Sequence, residues 1–268
     1  MPAPLSRRSL LASAPIASLG LVSAAGARPP SPAPAGGPTL PFFPSADPAL
    51  AQQIVGLAHA KFDELRKLVE PRPALAKAAY DWGFGDWETA LGAASHVGNR
   101  QIAEFLISLG ARPDLFTFAM LGNLNAVRAA IEASPGLQRL HGPHGITLLK
   151  HAQAGGEQAA PVVEYLRSLG DADIGYPTEP LDPADRDACI GTYAFGPHES
   201  DRLDAAVRRE DLYITRAGGS PRRLSHTGAL SFLPVGAPKV AVKFIRAGAV
   251  VTAIEVHDPD LVITAQRV

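Results

Sequence analysis

The sequence predicts an α + β protein with its two parts in separate domains: a helical array of about four repeated units, then a small antiparallel β body. Three observations predict it. Segments 102–110 (IAEFLISLG) and 162–170 (VVEYLRSLG) align without a gap, each an apolar helical stripe closed by glycine. After residue 173 the helical period stops and short runs with period two take over. Composition is that of an ordinary globular chain, 46% apolar and 19% charged over 268 residues.

Charge and cysteine content narrow the function classes. A formal net charge of −1 supplies no basic field for nucleic acid or an anionic membrane. Cys189 is the one cysteine, so an internal disulfide and any multi-cysteine metal centre are excluded.

The elements follow in chain order. Residues 1–27 place Arg7 and Arg8 ahead of an uncharged run, 10–27, that is rich in Ala, Ser, Gly and Leu and ends in Ala25-Gly26-Ala27. This layout resembles a twin-arginine translocation signal with a small-residue cleavage site, which implies a periplasmic or secreted protein with no membrane attachment after cleavage. Residues 28–48 are proline-rich, which favours extended geometry and reads as a semi-stiff linker.

Residues 49–173 form the predicted repeat domain. Thr89 can cap a short helix, Ala93 and Ala94 allow close helix approach, and Gly98 ends it before the stretch from Ile102. Thr147, Leu148, Leu149 and Ala152 repeat the plan before the second copy. These residues resemble the ankyrin repeat, whose threonine, leucine, alanine and turn glycine fall on Thr89, Leu91, Ala94 and Gly98. Gly110-Ala111-Arg112-Pro113-Asp114 resembles the turn that closes such a repeat. Residues 54–69 and 118–131 are weaker copies. The sequence departs from the family at Ala90 and Leu148, where proline is usual, and at Gly92 and Lys150, where histidine is usual. The resemblance implies an ankyrin-like α-solenoid whose concave face binds a protein partner and which carries no catalytic constellation.

Residues 174–187, with Pro177, Pro180 and Pro183, read as a linker. From 188 to 268, six runs (189–195, 212–216, 229–233, 240–245, 250–256 and 261–265) are separated by turn signals such as Gly218-Gly219 and Asp258-Pro259-Asp260. They predict a small antiparallel meander, roll or open barrel.

The stretch 80–88 (YDWGFGDWE) holds both tryptophans and three acids. Tyr80, Asp81, Trp82, Phe84, Asp86, Trp87 and Glu88 therefore stand as partner-binding candidates, since aromatics give large contact area at low entropic cost. The same tryptophans can simply anchor a long loop onto the helices. His96, His144 and His151 join the candidates. His59, His96 and His151 fall near inner-helix ends and could form a metal or acid–base site with Asp86 or Glu88. No HExxH or paired-ligand spacing marks one, and such histidines often bond free helix carbonyls, so no catalytic residue, metal or cofactor is expected. Arg222-Arg223 reads as a solvated face. The predicted function is non-catalytic recognition of a protein partner. The competing prediction is a periplasmic enzyme or small-molecule binder with a pocket between the helices and the β body, and several carboxylates converging with histidines in a cleft would favour it.

Overall fold

Short capped helices and period-two strands account for the fold of this chain. A computed structural model describes residue 42, residues 44–259 and residues 261–268. The predicted signal 1–27 and most of the proline-rich segment lie outside the described residues.

Eight helices come in four neighbouring pairs. They are α1 (Pro48–Leu57) with α2 (Phe62–Val69), α3 (Ala90–His96) with α4 (Arg100–Ser108), α5 (Leu115–Leu121) with α6 (Leu124–Ala133), and α7 (Leu148–Ala154) with α8 (Ala160–Ser168). Their starts are written locally. Side chains of Asp47, Thr89, Asn99, Asp114, Asn123 and Thr147 each accept a first-turn amide of the helix that follows. The inner helices α1, α3, α5 and α7 pack in series, and Ala90 through Ser95 of α3 are all buried between neighbours. Gly98, at φ +74°, lets the α3–α4 turn lie against the Ala154 carbonyl, where any Cβ would clash. Between α2 and α3 a two-stranded hairpin intervenes, β1 (Ala79–Asp81) paired with β2 (Trp87–Thr89).

The C-terminal part is a closed barrel of eight antiparallel strands: β3 (Gly191–Ala194), β4 (Arg202–Arg208), β5 (Asp211–Arg216), β6 (Arg222–Gly228), β7 (Ser231–Pro234), β8 (Ala241–Ala247), β9 (Val250–Asp258) and β10 (Leu261–Arg267). Each strand pairs with the next, and β10 returns to β3 through Gln266↔Ala194 and Arg267↔Tyr193. Closure removes both sheet edges. Alternate residues fill the inside, among them Tyr193, Ile214, Phe232, Phe244 and Ile254. The buried Tyr193 hydroxyl donates to the Cys189 carbonyl at 2.8 Å.

The fold class needs correction. The structure shows a helical region joined to a closed barrel, not an ankyrin-like α-solenoid followed by a meander, roll or open barrel, and residues 44–268 form one compact unit. The resemblance rests on a cap threonine, small helix-contact residues and an end glycine, and any capped helical hairpin needs the same residues. Strand periodicity, for its part, says nothing about whether the last strand meets the first. Part of the predicted linker is also helical, α9 (Pro183–Ala188), which places Cys189 at a helix end.

Candidate functional site

The β1–β2 hairpin builds the site. Its loop turns through Gly83, Phe84 and Gly85, all at positive φ, and closes with Trp82 N–H donating to the Asp86 carbonyl at 3.1 Å. Strand alternation then sorts β2: Trp87 is 64% exposed, Glu88 is fully buried, and Thr89 returns outward to cap α3. A carboxylate is thereby driven into the interior, where it must be compensated.

Three histidines surround it. His59 follows α1, His96 ends α3, and His144 sits at φ +59° in the turn between Gly142 and Gly145. Their Nε2 atoms face Glu88 at 3.7 Å (His59 to Oε2), 3.0 Å (His96 to Oε1) and 3.4 Å (His144 to Oε2). Trp82 Nε1 donates to Glu88 Oε2 at 2.7 Å. His59, Glu88, His96 and His144 each offer one donor atom, and the four atoms lie within 4.8 Å of one another, so these residues could hold a metal ion.

Asp86 organises the surroundings. Its Oδ1 accepts the His144 backbone N–H at 2.9 Å, and its Oδ2 accepts His144 Nδ1–H at 2.9 Å. Arg222 of the barrel pairs with the same Oδ2 and donates to the Trp82 carbonyl at 2.8 Å. Arg222 is 8% exposed, so the expected solvated face is corrected: alternation along β6 turns Arg222 inward and leaves Arg223 outside. Gly236, at φ +96°, clears the space for Asp86, where a Cβ would meet the carboxylate.

These contacts set the charges. Burial works to raise the Glu88 carboxyl, but the contacts and charges of His144 and His96 outweigh it and hold the group at about 2. Burial works to lower His144, yet Asp86 and Glu88 raise it to about 9. Asp86 is held below the usual carboxylate range because His144 and Arg222 overcome its burial. His151 is pulled down chiefly by burial; its Nδ1 lies 2.9 Å from the Thr147 carbonyl.

One cavity borders the cluster and a second shares part of its wall. The first, of about 230 Å³, is lined by His59, His144, Trp82, Ser220, Pro221 and Arg222. The other, about 330 Å³, shares Trp82, Ser220 and Arg222 with it and extends past Tyr80, Asp81 and Phe84 to the inward-facing barrel residues Leu203, Ile214 and Val256.

The predicted candidates therefore separate. Asp86, Glu88, His96 and His144 converge; Tyr80, Asp81, Trp82 and Phe84 line the larger cavity; Trp87 faces out. His151 lies behind His96, their ring centroids 6.4 Å apart, and His144 takes the place expected of it. Arg222, Ser220 and the barrel wall residues Leu203, Ile214 and Val256 are the ones that sequence reasoning missed. The signal for Arg222 was its place in an alternating strand.

No family model matches this chain, and no curated protein matches it. Among solved structures, "Crystal structure of SurE" superposes with a TM-score of 0.26 at 22% identity, over 44% of this chain and 28% of that one. "Crystal structure of SurE with D-Leu" gives 0.23 at 21%, with the same coverage. The chain thus spans less than a third of those proteins, and likenesses this low carry no argument about function. Among the described residues, no helix is long and apolar enough to cross a membrane.

Proposed function

We propose that this protein is an enzyme or binder for a small molecule with an apolar body, which it takes between the helical region and the barrel. One observation carries the reading. The cavity over the His–carboxylate cluster adjoins a larger cavity walled by Trp82, Phe84, Leu203, Ile214 and Val256. Apolar walls with a few fixed polar groups at one end are how small-molecule sites gain affinity and orientation, and barrel mouths are a common place for them. The ligand's apolar part lies against Ile214 and Val256, and its polar end meets His59 and His144.

Intrinsic fluorescence tests it. In a Trp87→Phe variant the emission comes from Trp82 alone, which borders both cavities. Titration with a graded series of alkyl and aryl alcohols and carboxylates should give a saturable shift, and adding Ile214→Phe, which fills the apolar end without a second emitter, should abolish it. No shift with any ligand, or the same shift in both proteins, contradicts the reading.

Export by the twin-arginine route belongs to the same proposal and places the protein in the periplasm. An Arg7→Lys/Arg8→Lys double variant should remain in the cytoplasm on fractionation, and continued export would remove that part of the proposal. Recognition of a protein partner is favoured by one feature, the exposed Trp87. A Trp87→Ala protein that recovered the same periplasmic partners as wild type would dispose of it.

A further inference from the structure

We propose that His59, Glu88, His96 and His144 bind one divalent transition-metal ion of the zinc class at the floor of the smaller cavity. The inference deepens the proposed function by naming what the cavity floor holds, and it stands even if the apolar pocket binds nothing.

Distance is the first support. Zinc bonds of about 2.0–2.2 Å in a tetrahedron place neighbouring ligand atoms about 3.3 Å apart. His96 Nε2 stands 3.0 Å from Glu88 Oε1, the Nε2 atoms of His144 and His59 stand 3.4 and 3.7 Å from Oε2, and one donor atom from each of the four residues lies within 4.8 Å of the others. At 3.0 Å, His96 Nε2 and Glu88 Oε1 are close enough for a hydrogen bond, but the direction of the ring N–H does not suit one, and neither atom has a hydrogen-bond partner among the described residues. Glu88 is fully buried, and a buried polar atom without a partner is costly. A cation between the two satisfies both.

The surroundings orient the donors as they do around bound metals. His144 Nδ1–H donates to Asp86, giving the carboxylate–histidine arrangement that fixes a ligand's tautomer and ring plane. His59 Nδ1 lies 3.1 Å from the carbonyls of Val55 and Gly56. Each of these bonds occupies Nδ1 and leaves Nε2 facing Glu88. Trp82 Nε1 donates to Glu88 Oε2 at 2.7 Å, which fixes the carboxylate plane and leaves Oε1 without a partner among the described residues.

Ligand chemistry selects the ion. Three imidazoles and one carboxylate, with no thiolate, suit zinc and its first-row neighbours, whereas calcium and magnesium take oxygen ligands. His59 and His144 border the cavity, so the ion is reachable from it.

The test uses the full chain, purified without chelator and measured for metal content, then stripped and titrated with Zn²⁺ and with Co²⁺ as a visible probe. About one zinc per chain and a Co²⁺ absorption band displaced by zinc are expected. His59→Ala and Glu88→Gln should weaken zinc binding by more than about tenfold, with native circular dichroism. His141→Ala, whose ring stacks on Tyr176 outside the cluster, should bind as wild type does. Absence of binding to wild type, or unchanged affinity in His59→Ala, overturns the inference. If the stripped protein keeps its fluorescence response to apolar ligands but takes no zinc, the metal inference alone fails; zinc uptake with no such response defeats the pocket reading alone.

Discussion

The helical region and the barrel contribute to the site in different ways. All the converging titratable groups, His59, Asp86, Glu88, His96 and His144, come from the helical side and its hairpin. The barrel supplies apolar wall and one buried cation, Arg222, which reaches across to Asp86 and the Trp82 carbonyl. Short helices with capped ends can aim several polar side chains at one point, because each helix end is a separate place from which to project one. A closed barrel this size is filled by its own side chains and offers mainly a mouth. The difference assigns chemistry to the hairpin and shape to the barrel.

Asp86→Ala breaks that arrangement most severely. It strips Arg222 of its partner in a buried setting and releases both His144 contacts, so a loss of about 3–5 kcal/mol is expected in urea unfolding. Because Asp86 joins the two regions, unfolding should also split into two transitions. Arg222→Met sharpens the comparison from the barrel's side: Asp86 keeps His144, and the loss falls to about 1–3 kcal/mol. Equal losses in the two variants would mean that His144 contributes nothing to holding Asp86. Thr89→Ala tests the helical side alone, since it removes the 2.8 Å cap on Gly92 N–H; about 1 kcal/mol is expected. Trp87→Ala should change stability by less than about 0.5 kcal/mol, because the ring is exposed. A larger loss would show that both hairpin tryptophans anchor the loop.

Much of the site was legible in the sequence, for reasons that particular residues make plain. The 80–88 stretch drew attention because its aromatic and acidic residues are concentrated there, and Thr89 marked the helix that follows. Which acid turns inward depends on hairpin register, Tyr80↔Glu88 and Asp81↔Trp87, and on what lies beneath the hairpin. His59 and His96 were readable as neighbours at inner-helix ends. His144 was readable as a binding candidate in a Gly-Pro turn but not as a neighbour of Asp86, because that approach spans 58 residues. Local patterns record where helices begin and which strand residues alternate. Pairings such as Arg222 with Asp86, or Arg267 with Tyr193, depend on chain closure over long separations and leave no local trace.

X-ray absorption on the zinc-loaded full chain addresses the central claim most directly. Three imidazole nitrogens and one carboxylate oxygen at about 2.0–2.2 Å are expected, with the histidine contribution reduced in His59→Ala. A shell of oxygens alone, as from adventitious surface binding, or one identical in wild type and His59→Ala, would contradict the account.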